Sequence, residues 1–135
     1  MAMHAHGAFE VSLTPQKADN KPAENAGIGR MAIAKTFTGD LEAASEGEML
    51  SAMSAKDSGV YVAIERVTGR LGGRSGAFVL QHCGIMTRGA PQLSVTVVPE
   101  SGTDGLQGIS GSMEIKIDNG KHYYEFAYAL AGTAP

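Results

Sequence analysis

The chain has 135 residues, 43% hydrophobic and 19% charged, which suits one folded domain spanning 1–135 around a single core. Eleven basic against fourteen acidic residues give a net charge of -3. The tightest basic group, Arg66, Arg70 and Arg74, flanks a glycine-rich turn as a solvated hairpin end, so the footprint of a nucleic-acid binder is missing.

Cys83 is the only cysteine, which excludes an intrachain disulfide and a cysteine-built zinc site. It lies in an apolar run and is expected as a packed, inert thiol. His82 precedes it directly, but adjacent strand residues point to opposite faces. No run reaches the roughly 20 apolar residues of a membrane helix, and the start lacks the pattern of a signal peptide. The expectation is a soluble cytoplasmic protein with no membrane partner.

In chain order, His4–Leu13 alternates with Phe9, Val11 and Leu13 on one side, the period of a half-buried strand. Residues 14–27 are polar and aperiodic, and are expected as a mobile surface loop. Ile28–Phe37 alternates again and places Met31, Ile33 and Phe37 together. Leu41–Met53 has a helical composition, yet Leu41, Ala43, Met49 and Met53 share a strand face and Gly47 would interrupt a helix; it is assigned as a strand.

A turn at Asp57-Ser58-Gly59 leads into a strand from Val60 to Leu71, and Gly72-Gly73 fits a two-residue hairpin loop. Gly76–Cys83 returns antiparallel. Leu93–Val98 and Met113–Ile117 follow, separated by the glycine-rich stretch 102–111. Asp118-Asn119-Gly120 then turns into a last strand, His122–Leu130. Eight strands joined by short turns predict a closed antiparallel β-barrel, because closure removes exposed edges. A two-layer sandwich is the alternative.

Several segments carry a family likeness. They are Lys35-Thr36-Phe37-Thr38-Gly39-Asp40, Ile64-Glu65-Arg66-Val67-Thr68-Gly69, Leu71-Gly72-Gly73-Arg74-Ser75-Gly76, Phe78-Val79-Leu80-Gln81-His82 and Val97-Val98-Pro99-Glu100-Ser101-Gly102-Thr103. With these the chain resembles an uncharacterised bacterial family, the domain of unknown function 3224, from about Gly7 to about Leu130. The resemblance implies a closed, allene-oxide-cyclase-like (lipocalin-like) eight-stranded barrel and a homo-oligomer. It implies no activity, since the family has none assigned and fold alone does not carry one.

With Gly72-Gly73 as the loop, Leu71 faces Arg74, Val67 faces Phe78, Glu65 faces Leu80 and Ala63 faces His82. One hairpin face then carries Tyr61, Ala63, Glu65, Val67, Phe78, Leu80 and His82. The other carries Val62, Ile64, Arg66, Ala77, Val79, Gln81 and Cys83. Each hides a polar diagonal pair, Glu65 with His82 or Arg66 with Gln81, and either face can be the lumen.

A carboxyl group in a dry lumen has its pKa raised, which suits an acid or base. The competing explanation of Glu65 and His82 is a satisfied buried pair. Arg66 and Gln81 read as a polar patch at a subunit contact, or as the alternative site. His4 and His6 have a metal-binding spacing without a carboxylate partner, and no metal is expected.

Tyr124, Phe126 and Tyr128 read as packing, with their hydroxyls at a wet edge. Residues 102–111 match neither a phosphate loop nor a dinucleotide fingerprint, so no cofactor is expected. Three functions follow. A binding module would hold a small apolar molecule against Tyr61, Glu65, Phe78, Leu80 and His82. An isomerase or cyclase would use Glu65 as acid or base, with His82 the other candidate catalytic residue. A purely structural oligomer would need neither.

Overall fold

Eight antiparallel strands, taken in chain order, close on themselves in the computed structural model, which describes residues 2–17 and 19–130. Met1, Ala18 and residues 131–135, covered by the expectation of one domain, lie outside them. The strands are β1 (Met3–Pro15), β2 (Ile28–Gly39), β3 (Leu41–Ala55), β4 (Ser58–Leu71), β5 (Arg74–Thr87), β6 (Ala90–Val97), β7 (Ser110–Asp118) and β8 (Lys121–Ala129). β8 pairs back onto β1, so the fold is a barrel and not a sandwich.

The hairpin turns follow from residues that tolerate positive φ. Gly72 and Gly73 lie at 58° and 82°, and Asn119 and Gly120 at 50° and 78°, which matches the right-handed twist of the strands they join. The β3–β4 turn sits at Lys56-Asp57, one residue earlier than expected, because Asp57 takes the left-handed conformation.

Residues 14–27 are more ordered in form than a plain loop. β1 runs to Pro15, and one helical turn, α1 (Lys21–Asn25), follows. Asn20 caps it by accepting from the Ala23 N–H at 3.2 Å, and Pro22 sits in the first turn, where its missing N–H costs nothing.

Alternation decides what fills the barrel. Phe37, Leu41, Val67, Leu71, Phe78, Leu80, Val95, Phe126 and Tyr128 point inward and pack one end solid. The stretch after β6 completes this end. Val98, Ser101 and Thr103 bond the backbone of Val79 and Ala77, occupying the β5 edge that β6 leaves free. That brings Leu106 and Ile109 inside.

Tyr124 is buried rather than at a wet edge. Its hydroxyl accepts from the Leu41 N–H at 2.8 Å and donates to the Thr38 carbonyl at 2.7 Å, fastening the β2–β3 turn. The opposite end of the barrel is not packed in this way.

Candidate functional site

Which hairpin face lines the lumen is answered by exposure. Val62 and Ile64 are 46% and 64% exposed on the outside, whereas Glu65 is 0% exposed and His82 is buried. The inferred β4–β5 register holds at every pair, including Glu65 opposite Leu80 and Ala63 opposite His82. Arg66 and Gln81 lie exposed on the outer face. Gln81 donates to the Thr96 hydroxyl at 3.2 Å, and no hydrogen bond joins it to Arg66. The Arg66–Gln81 alternative therefore falls outside the lumen.

Cys83 shares that outer face and is exposed, not packed. The apolar run around it has two apolar faces, and Cys83 lies on the outward one of a barrel wall. His4 and His6 also face outward, and among the described residues no group of three candidate ligands could hold a metal ion.

Inside, Glu65 is the centre of a four-residue cluster. Its Oε2 accepts from Lys35 Nζ at 2.7 Å and contacts His82 Nε2 at 2.5 Å; its Oε1 accepts from Ser45 Oγ at 2.8 Å. Every strand from β2 to β5 contributes one member. The approach depends on Gly47, which pairs with Glu65 across β3–β4. A Cβ there would stand 2.0 Å from the Ile64 carbonyl oxygen, so only glycine lets the strands meet at this level.

The expected rise in the Glu65 pKa is reversed. Burial alone pushes it up, but the His82 hydrogen bond and the Lys35 charge and hydrogen bond outweigh it and hold the group at about 2. The carboxyl group is thus an ionised acceptor with both oxygens occupied. It cannot offer a proton to anything in the lumen.

Above the cluster the barrel opens into a cavity of about 340 Å³. Val11, Leu13, Ile33, Met49, Leu93 and Ile115 wall it, His122 adds a second imidazole to its lining, and Lys35, Ala63 and His82 meet it from below. Tyr61 stands at its side with its ring 6.4 Å from that of His82, laid across Gly84, where a Cβ would come within 2.2 Å of the ring. A second apolar hollow of about 330 Å³ shares Met49, Tyr61 and Leu93 and continues over the rim toward Met53 and Met86. A larger and more polar hollow of about 560 Å³ beside Thr36, Thr38 and Lys121 shares Phe9, Val11 and His122 with the cavity.

Of the expected ligand contacts, Tyr61 and His82 line the cavity. Glu65 lies beneath it, while Phe78 and Leu80 belong to the packed end. Lys35 and Ser45 escaped the sequence expectation. Lys35 has the parity of Ile33 and Phe37, and Ser45 that of Leu41 and Ala43, so polar residues on two apolar faces were the signal. The Lys35 ammonium also lies 4.8 Å from the Phe9 ring centroid, a cation–π contact that helps hold it in an apolar wall.

The family model for proteins of unknown function DUF3224 matches residues 5–128. The chain belongs to that family. A solved DUF3224 protein of unknown function from Shewanella oneidensis MR-1 is 50% identical to this DUF3224 chain, over 98% of it and all of the solved chain, with a TM-score of 0.90. No protein of curated function matches it. The family therefore fixes the barrel and leaves the chemistry of the lumen to the residues themselves. Among the described residues no helix is long and apolar enough to cross a membrane.

Proposed function

We propose that this protein binds one small, largely apolar molecule in the open end of its barrel. The observation that carries this is the contrast between the two ends. Aromatic and aliphatic side chains pack one end, while the other holds an apolar cavity of about 340 Å³ over a buried polar cluster. Small-molecule sites have volumes of about 300–1,000 Å³, mostly apolar walls and a few convergent polar groups. A barrel with only a structural role would gain stability by filling both ends, since an unfilled apolar cavity forfeits packing contacts.

Met49, Met53 and Met86 along the rim favour a pliable entrance, because unbranched thioether chains adapt to the shape presented to them. Exposed apolar surface here is surface that a ligand would cover.

The test uses N-phenyl-1-naphthylamine, a neutral apolar fluorophore. Its emission should rise and saturate at one molecule per barrel. Ala63→Leu, which adds three carbons to the lumen, should weaken binding about tenfold or more, since displacing even two buried methylenes of ligand costs about that much. Val62→Leu, one residue away on the outer face, should leave it unchanged. Equal effects of the two variants, or no saturable binding, would refute a lumenal site.

A further inference from the structure

We infer that His82 and Lys35 form an acid–base site for proton transfer at a carbon next to a carbonyl, acting on a small, neutral, mostly apolar ketone or aldehyde. This deepens the lumenal binding proposed above and rests on it. Glu65 is a positioning residue in the scheme and touches no substrate.

Glu65 sets which imidazole nitrogen carries the proton. An ionised carboxylate only accepts hydrogen bonds, so the His82 nitrogen facing Glu65 Oε2 is the donor, Nε2–H. The other nitrogen, Nδ1, has no hydrogen-bond partner among the described residues. None of the buried side-chain nitrogens and oxygens there goes without one, so Nδ1 is open to the cavity that His82 lines. A carboxylate behind an imidazole, with a free ring nitrogen in front, is the arrangement that makes histidine a general base.

Lys35 supplies the second half. Its ammonium and the imidazole bind the same oxygen, so they sit side by side on the cavity floor. An ammonium has three donors, and Glu65 takes one. The others are available to an oxygen above.

The charges decide the substrate class. Lys35 is already paired with Glu65, so a carboxylate ligand at the cavity floor would enter beside an ionised carboxylate whose countercharge is taken. A neutral carbonyl compound brings no such cost. Its apolar body matches the walls, and its oxygen meets Lys35.

In the reaction, Nδ1 takes the proton from the α-carbon. The C–H electron pair becomes the carbon–carbon π bond of an enolate, and the carbonyl π pair moves onto oxygen, where the ammonium holds it. The imidazolium formed faces the Glu65 carboxylate, so each new charge has an opposite neighbour already in place. Returning the proton to the same carbon exchanges its hydrogen. Returning it to the far carbon of a conjugated system moves a double bond. Neither outcome needs an oxidant, a reductant or a metal.

The probe is 2-tetralone in D₂O, with loss of its α-proton signal followed by NMR and its binding followed by displacement of N-phenyl-1-naphthylamine. Exchange should exceed the buffer rate by about a hundredfold or more, the usual reach of a positioned base. His82→Gln should return it to the buffer rate, and Lys35→Met should slow it strongly, with folding of each checked by circular dichroism.

If either variant does not fold, the ¹⁵N spectrum of the wild-type imidazole, recorded with the ring neutral, decides. Protonated Nε2 and bare Nδ1 support the proposal; the opposite tautomer overturns it. If 2-tetralone displaces the fluorophore but exchanges at the buffer rate, the acid–base proposal fails while lumenal binding stands. If neither compound binds, both fail together.

Discussion

His82 Nε2 lies 2.5 Å from Glu65 Oε2, and the two side chains come from adjacent strands in diagonal register. The diagonal is what allows the contact. Residues directly opposite, Glu65 with Leu80 and Ala63 with His82, point the same way into the lumen, and the longer polar side chains lean toward each other across them. Lys35 from β2 and Ser45 from β3 then satisfy the rest of the carboxylate. The carboxylate is therefore satisfied without a ligand, and two of its partners, Lys35 and His82, line the cavity.

A complete buried cluster should behave as a unit when one member is removed. Lys35→Met leaves an ionised carboxylate short of its countercharge, which costs about 3–5 kcal/mol. Combining it with Glu65→Gln should cost less than the sum by about 1 kcal/mol or more. Urea denaturation of the two single variants and the double variant measures this. Additivity within about 0.5 kcal/mol would show that the two side chains do not interact.

The same carboxylate sets an acid limit on stability. Its folded pKa is about 2, below its ordinary 4.5. Stability from this group is therefore full above pH 4.5 and is lost as pH falls toward 2, in total about 3 kcal/mol. Glu65→Gln should be less stable at neutral pH and should lack this part of the acid slope. Urea midpoints recorded from pH 7 down to pH 2 test it, and parallel slopes for both proteins would contradict it.

Tyr124 offers a control at the packed end. Tyr124→Phe strips a partner from the buried Leu41 N–H and should cost about 1–3 kcal/mol in thermal or urea unfolding. Binding of N-phenyl-1-naphthylamine should not change, since the ring lies in the packed core and lines none of the cavity.

Cys83 should react with a thiol reagent in the native protein, at a rate close to that of the unfolded chain, because its side chain is on the outer wall. Labelling should leave fluorophore binding unchanged. Protection of the thiol until unfolding would mean that the outer face around Val62 and Ile64 is covered in solution.

The strand pattern was legible because turns and alternation repeat through the chain, and two glycines at 72 and 73 fixed the register of the central hairpin to the residue. Its inward face was not legible, since Val62 and Ile64 are as apolar as Val67 and Leu80, and only closure of the barrel separates them. Lys35 was hidden for a related reason: within an apolar alternation a lysine reads as an edge or surface residue until a carboxylate from another strand is known to face it. Leu106 and Ile109 sit in an aperiodic stretch, where burial follows from tertiary contact alone. Nothing local in the sequence sets whether a glutamate in a lumen is raised or lowered in pKa; His82 and Lys35, from two other strands, decide it.

The most direct test of a ligand-binding barrel is native mass spectrometry of the protein purified from its own host. The expected result is a retained neutral organic molecule, one per chain, that is lost in Ala63→Leu and kept in Val62→Leu. Bare chains from the host, together with no saturable binding of N-phenyl-1-naphthylamine, would contradict it.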